Sequence, residues 1–229
     1  MPHSFDNLPE DPEKLETWID QQESSEPSIK EHARAKIMWA DPATKSKSEY
    51  ALVYLHGFKA SHGEGKPVHK RVAKTLGMNL YLSRLEGHGL KTSNPLEHLS
   101  AENLKTSARK ALAVGRNIGD KVIIMGTSTG GSLGLYLAAQ PELKDSVSGL
   151  VLYSPLVRFY GSSQWYLGHG IPRALLRVIP GRNYRIKADP GASPEEDAIW
   201  YSTYSLQGAL ALGKFIQQSM TADTFSRVT

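Results

Sequence analysis

Residues 121–134 read KVIIMGTSTGGSLG, and this stretch decides the fold of the chain. Its first part, residues 122–125, is an apolar run with the composition of a buried strand. Small residues at 132–139 follow the glycine-rich centre and favour a helix. A strand that passes directly into a helix through glycines predicts a tight turn, and such a turn lifts Ser128 out of the sheet.

The pattern Gly126-Thr127-Ser128-Thr129-Gly130 is typical of a nucleophile elbow. The glycines are needed because the serine backbone is strained and a Cβ two residues away would collide with neighbouring backbone. The helix that begins after Ser128 directs its free N–H groups towards charge that develops there. The sequence therefore predicts Ser128 as a catalytic nucleophile, and the alternative is an idle serine in a glycine-rich turn.

Composition indicates one soluble globular domain of 229 residues, 40% of them hydrophobic and 22% charged. The net charge of +4 is spread along the chain without a nucleic-acid-binding motif, so no nucleic acid partner is predicted. The absence of cysteine excludes disulfides, cysteine nucleophiles and cysteine-ligated zinc. The polar N-terminus does not resemble a signal peptide and no apolar run has membrane-spanning length, which predicts a cytoplasmic protein without an integral membrane segment.

Strand and helix patterns alternate along the chain, which predicts a mostly parallel sheet covered by helices on both faces, the doubly wound α/β class. Predicted strands are 37–40, 50–55, 80–82, 122–125 and 149–153. Predicted helices are a short one from Pro12, then 67–76, one capped by Ser100 and broken at Gly119, 132–139, and 204–218.

A serine nucleophile needs a base, a carboxylate that orients the base, and donors for the oxyanion. The strand at 50–55 ends in His56-Gly57-Phe58. The backbone N–H groups of Phe58 and Thr129 are the predicted oxyanion donors, and His56 and Gly57 are predicted to contact the substrate. This chemistry needs neither a metal nor an organic cofactor, and none is predicted.

These motifs resemble the α/β-hydrolase fold, and within it the branch that contains monoglyceride lipases and serine aminopeptidases. The resemblance covers residues 35–218. It implies a serine hydrolase that cleaves carboxylic esters with hydrophobic acyl groups, such as acylglycerols, through an acyl-enzyme on Ser128. The residues that carry it are H-G-F at 56–58, G-H-G at 87–89, G-T-S-T-G-G at 126–131 and Tyr153-Ser154-Pro155.

The stretch 158–189 is rich in glycine and proline with apolar residues between them, and in this family it corresponds to the cap that shapes the acyl pocket. Trp165 and Tyr166 in this stretch are predicted to contact the substrate. The resemblance divides the chain into a helical lead-in (1–34), an α/β-hydrolase core (35–157), a helical cap (158–200) and an incomplete return to the core (201–229).

Two departures from the family stand out. The family often has an acidic residue and an arginine before G-H-G, whereas this chain has Arg84 and Glu86, which puts the usual packing network there in doubt. The family also orders its triad Ser, Asp, His, but only His169 follows Ser128, and no histidine follows Gln218. We therefore expect a fragment that ends before the final two strands and lacks the triad aspartate and histidine.

Three histidines are alternative bases: His56, His88 and His169. His56 and His88 are better explained as structural hydrogen-bonding groups, and His169 lies in the predicted cap without a local carboxylate. Two other readings stay open beside the hydrolase. One is a non-catalytic small-molecule-binding protein of the same fold; the other is a chain that does not fold stably because a sheet edge is exposed.

Overall fold

The fold was analysed in a computed structural model, which describes residues 8–160, 185–187 and 193–228. The strands are β1 (Lys36–Met38), β2 (Ser48–Leu55), β3 (Asn79–Leu82), β4 (Gly119–Thr127), β5 (Gly149–Tyr153), β6 (Arg185–Lys187) and β7 (Thr203–Ser205). The helices are α1 (Pro12–Ser24), α2 (Val68–Thr75), α3 (Ala101–Ile118), α4 (Thr129–Ala138), α5 (Pro194–Ile199), α6 (Leu206–Ser219) and α7 (Ala222–Arg227).

The five strands β1 to β5 form one sheet in the order β1-β3-β2-β4-β5. Only β1 is antiparallel to its neighbour; the pairs β3–β2, β2–β4 and β4–β5 are parallel. The predicted α/β class with a mostly parallel sheet is confirmed. Leu55 pairs with Gly126 and Thr127 pairs with Tyr153, so the carboxyl ends of β2, β4 and β5 meet at one edge, where open α/β sheets bind ligands.

Alternate residues of β2 point into two separate cores, because side chains along a strand alternate between its faces. Ala51, Val53 and Leu55 pack with α3, α4 and α6, whereas Leu52 and Tyr54 pack towards α2. The sheet is thus covered on both faces, and this is why β2 and β4 contain the continuous apolar runs 50–55 and 122–125.

Helix starts follow the capping rules. Ser100 Oγ accepts a hydrogen bond from the Asn103 N–H at 3.0 Å, so the predicted N-cap of α3 is confirmed. Asp11 caps α1 in the same way at 2.9 Å from the Lys14 N–H. These caps fix where the two helices begin.

A buried ion pair ties α1 to the loop after β3. The Arg84 guanidinium donates to both carboxylate oxygens of Glu23, with Nε at 2.7 Å and Nη2 at 3.0 Å. The Arg84 side chain is 14% exposed and that of Glu23 is 6% exposed. Glu23 also accepts the Ala35 N–H at 3.0 Å, so one carboxylate holds the helix, the start of β1 and the loop.

Several boundaries differ from the sequence-based expectations. Helix α1 runs from Pro12 to Ser24 and is therefore longer than the short helix predicted from Pro12. The helix predicted from Tyr204 starts at Leu206, because Thr203–Ser205 pairs as a strand with Arg185–Lys187. After α6 the chain forms one further helix, α7.

Most of the predicted cap lies outside the described residues, and so do Trp165, Tyr166 and His169. Across 8–160, 185–187 and 193–228, no helix combines the length and the apolar character needed to cross a lipid bilayer.

Candidate active site

Ser128 has the strained backbone of an elbow, with φ at 51° and ψ at −113°. A positive φ is uncommon for a residue with a side chain and is tolerated where the surroundings hold it. Here the Ser128 N–H donates to the Tyr153 carbonyl at 2.9 Å, and the Leu156 N–H donates to the Ser128 carbonyl at 3.2 Å. The end of β5 and the segment after it therefore hold the elbow, and Ser128 stays partly exposed.

The two glycines of the elbow are required by close backbone approach. A Cβ on Gly126 would lie 2.5 Å from the backbone of Gly130. A Cβ on Gly130 would overlap the carbonyl oxygen of Leu55, the last residue of β2. The first turn of α4 therefore lies directly against the loop that begins at His56.

His56 orients the peptide that carries the Phe58 N–H. The Leu85 N–H donates to His56 Nε2 at 3.1 Å, so the proton of the neutral ring is on Nδ1, which lies 3.0 Å from the Gly57 carbonyl oxygen. Burial lowers the pKa of His56 well below its usual value, which keeps the ring neutral. Because the C=O and N–H of a trans peptide point in opposite directions, the Phe58 N–H is turned away from His56.

The two predicted oxyanion donors have no acceptor among the hydrogen bonds of the described residues. Neither the Phe58 N–H nor the Thr129 N–H donates to a described protein group. Thr129 is the first residue of α4, where backbone N–H groups lack an intrahelical partner. Among the described residues, the Phe58 and Thr129 N–H groups therefore lie at the strand ends near Ser128 without an acceptor. The catalytic and substrate-contact roles assigned to Ser128, Phe58, Thr129, His56 and Gly57 stay predictions.

His88 supports the same loop from the opposite side. Its Nε2 contacts the Phe58 carbonyl oxygen, and its Nδ1 lies 3.0 Å from the Glu86 carbonyl oxygen. Burial lowers the pKa of His88 to about 4, so the ring is neutral and donates a single proton. That proton can serve only one of the two carbonyl oxygens, and both contacts place His88 beside the Phe58 carbonyl.

No base is positioned at Ser128 within the described part of the chain. Ser128 Oγ makes no hydrogen bond there to a histidine or a carboxylate. The ring nitrogens of His56 and His88 all face backbone groups of the surrounding loops. Among the same residues, no group of three histidine, aspartate or glutamate side chains is arranged to hold a metal ion.

Glu64 contacts the loop 56–58 next to Ser128, and the sequence alone did not predict this contact. It lies in a short 3-10 turn, His62–Gly65, and its Oε1 accepts the Gly57 N–H. The Tyr54 hydroxyl donates to the same oxygen at 3.3 Å and lies 3.0 Å from Thr127 Oγ1. No motif surrounds Glu64; the only sequence signal is Gly57, where a Cβ would lie 3.2 Å from the Glu64 carboxylate.

No protein-family model matches the chain, and no curated protein matches it in sequence. Solved structures do match. One is reported for LipS and LipT, two metagenome-derived lipolytic enzymes, with 16% identity, a TM-score of 0.64, and coverage of 87% of this chain and 72% of that chain. The monoacylglycerol lipase of Paleococcus ferrophilus matches with 18% identity and a TM-score of 0.56, covering 81% of this chain and 70% of its own.

DcsB, solved in complex with its substrate analogue, matches with 17% identity and a TM-score of 0.54, covering 82% of this chain and 72% of its own. At these identities the likeness concerns the fold. Together with the sheet order and the strained serine between β4 and α4, these matches show that the chain has the α/β-hydrolase fold.

Proposed function

We propose that the chain is a serine hydrolase that cleaves carboxylic esters with hydrophobic acyl groups, with Ser128 as its nucleophile. The observation that carries the proposal is the backbone of Ser128, whose positive φ is maintained by hydrogen bonds from two neighbouring segments. Strain of this kind persists where the surrounding structure holds it, and it clusters at active sites.

In the proposed reaction, Ser128 Oγ attacks the ester carbonyl carbon while its proton passes to a general base. The carbonyl oxygen becomes an oxyanion and accepts hydrogen bonds from the Phe58 and Thr129 N–H groups. Collapse of the tetrahedral intermediate expels the alcohol, which takes up the proton, and leaves an acyl group on Ser128. A water molecule then releases the carboxylic acid by the same steps.

The substrate class rests on two considerations. Structures with this fold that match the chain include enzymes named as lipolytic and as a monoacylglycerol lipase, which supports an ester substrate. The loop that carries the Phe58 N–H is flanked by aromatic rings, since Phe58 and Tyr204 pack edge to face with centroids 5.2 Å apart. We extend the proposed acyl pocket to Trp165 and Tyr166.

Covalent labelling tests the nucleophile. We expect a fluorophosphonate probe to modify the chain at Ser128, located by peptide mass spectrometry, and to leave Ser128→Ala unmodified. Ser148→Ala is the matched control, because Ser148 is exposed and directly precedes β5, at the opposite end of that strand from Ser128. Hydrolysis of p-nitrophenyl butyrate should follow the same pattern. Equal labelling of the parent and Ser128→Ala would contradict the assignment.

A second candidate is a non-catalytic protein that binds a small hydrophobic molecule in the same pocket. It is favoured by one observation: no described residue is hydrogen-bonded to Ser128 Oγ as a base. Saturable binding of a fatty acyl ligand by calorimetry, with no probe on Ser128 and no ester hydrolysis, would support binding over catalysis.

A further inference from the structure

The Glu64 side chain is linked to two segments of the proposed active site. One is the proposed oxyanion loop, residues 56–58, and the other is the serine elbow, residues 126–130. Glu64 Oε1 accepts the Gly57 N–H, which belongs to the peptide before the one that carries the Phe58 N–H. A Cβ on Gly57 would lie 3.2 Å from one carboxylate oxygen and 3.3 Å from the other. The carboxylate therefore covers Gly57, and a Cβ there would fit only if the Glu64 side chain moved by a few tenths of an ångström.

Both peptide groups of Gly57 are held by side chains, that of His56 fully buried and that of Glu64 partly buried. Its N–H is bound by Glu64, and its carbonyl oxygen is bound by His56 Nδ1 at 3.0 Å. Rotation about the φ and ψ angles of Gly57 would break one of these hydrogen bonds. The direction of the Phe58 N–H thus depends on Glu64 as well as on His56.

The same carboxylate is linked to the elbow through Tyr54. The Tyr54 hydroxyl donates to Glu64 Oε1, so its oxygen is free to accept from Thr127 Oγ1 at 3.0 Å. Thr127 is the last residue of β4 and directly precedes Ser128. The hydrogen bonds run from Thr127 through Tyr54 to Glu64, where they meet the one from Gly57.

Glu64 has this arrangement without a cationic partner. Within the described residues, no lysine or arginine nitrogen lies within 4.0 Å of its carboxylate. Burial raises the pKa of the Glu64 carboxyl, while hydrogen bonds from the Gly57 N–H, the Trp200 side chain and Tyr54 act in the opposite direction. A partly buried acid held only by neutral donors costs more than an exposed one, which argues for a role other than simple packing.

We propose that Glu64 is a positioning residue, which fixes the oxyanion loop relative to Ser128 by binding the Gly57 N–H and, through Tyr54, Thr127. This inference rests on the proposed ester-cleaving function. Glu64 does not touch the substrate in this role. It keeps the Phe58 N–H in register with the serine hydroxyl, and a misplacement of about 1 Å in such a site lowers rates on the order of 100-fold.

The test compares variants by the rate of fluorophosphonate labelling of Ser128, separated into the maximal rate constant and the probe affinity. Glu64→Leu removes the acceptor at similar volume and should lower the maximal rate about 10- to 100-fold, with the affinity nearly unchanged. Glu64→Gln keeps an acceptor for the Gly57 N–H and should recover most of the rate. Glu49→Leu, an exposed glutamate near the opposite end of β2, is the matched control.

Tyr54→Phe provides a second variant that removes one hydroxyl and leaves the carboxylate and the core in place. It should slow labelling less than Glu64→Leu does, because the Gly57 N–H keeps its acceptor. Amide NMR gives a readout that is independent of activity. Glu64→Leu should move the Gly57 amide resonance, and both variants should move those of Thr127 and Ser128.

The outcomes separate the two proposals. Labelling at the parent rate in both Glu64→Leu and Tyr54→Phe overturns the role of Glu64 and leaves the proposed function standing. An equal loss in Glu64→Leu and Glu64→Gln also overturns it, because the acceptor would then not matter. No labelling of the unsubstituted protein overturns the proposed function, and the amide shifts then decide whether Glu64 connects loop and elbow.

Discussion

Gly130 brings the first turn of α4 into contact with the end of β2. A Cβ there would overlap the Leu55 carbonyl oxygen, and it would also lie 2.9 Å from the carbonyl oxygen of His56. Both obstacles are backbone atoms where β2 passes into the loop that begins at His56, so they cannot move aside as a side chain would. The distance between Ser128 and that loop is therefore set by the absence of one methyl group.

Gly130→Ala should accordingly lower the free energy of unfolding by about 3 kcal/mol, the upper end for overpacking. Urea denaturation measures the change. Gly134→Ala in the same helix is the control, since its Cβ would meet side-chain methyl groups alone, with Ile124 Cγ2 nearest at 3.2 Å. A loss in Gly130→Ala no larger than that in Gly134→Ala would contradict this account of the elbow.

Single residues differ in how far the sequence reveals them. Ser128, Phe58 and Thr129 could be proposed from motifs, because strand-turn-helix context and glycine spacing are local in sequence. Glu64 could not, because its role depends on a turn that brings its carboxylate back over Gly57, seven residues earlier. A hydrogen bond between a side chain and a distant backbone N–H leaves no periodic pattern.

Among the elements, α1 is fixed to the body of the fold by charge as well as by apolar packing. Leu15 and Ile19 are buried on its inner face. Glu23 is buried too, although it is charged, because Arg84 and the Ala35 N–H satisfy its carboxylate. The helix can therefore continue past its last buried apolar residue, Ile19, to Ser24. An apolar pattern does not reveal such a continuation, so the sequence predicted only a short helix.

The Glu23–Arg84 pair gives a prediction at this scale. Glu23→Leu or Arg84→Met alone should cost about 3–5 kcal/mol of stability, since each leaves a buried charge unpaired. The double variant should be more stable than either single variant. A double-mutant cycle by urea denaturation measures the coupling.

The exposed pair Lys121–Glu49 is the control for that cycle, with 3.4 Å between Nζ and Oε1. Coupling there should stay below about 1 kcal/mol. If the two cycles gave the same coupling energy, burial would not be what makes the Arg84 pair strong.

In the loop with G-H-G, both residues that differ from the family pattern have partners. Arg84 and Glu86 depart from the resemblance, yet each has partners here. Arg84 binds α1, and the Glu86 carboxylate accepts from Asn103 Nδ2 at 2.7 Å. The sequence shows that Arg84 and Glu86 differ from the family pattern. It does not show their partners, because these come from α1 and α3, which are distant in sequence.

Over the whole molecule, buried neutral histidines link stability to pH. The pKa values of His56, His62, His69 and His88 are all lowered, chiefly by burial. The unfolded chain binds protons on these residues near pH 6.5, whereas the folded protein does so only at lower pH. Stability is therefore fully present above the usual histidine pKa and is lost as the pH falls.

His62 allows a quantitative test, because it is 2% exposed and its pKa is lowered to about 4. Between pH 6.5 and about 4 it should remove about 1.4 kcal/mol of stability per pH unit. His62→Gln should reduce the slope of unfolding free energy against pH by that amount. Equal slopes in the parent and His62→Gln would contradict the assignment.

The two held peptide groups of Gly57 have a consequence for the energetics of the proposed reaction. A flexible loop would lose backbone conformational entropy on meeting the transition state, on the order of 1–2 kcal/mol per residue. Here Glu64 and His56 already fix the peptides beside the Phe58 donor in the free protein. These peptide groups are ordered during folding. The proposed oxyanion donor is therefore preorganised and needs no rearrangement when negative charge develops on the substrate.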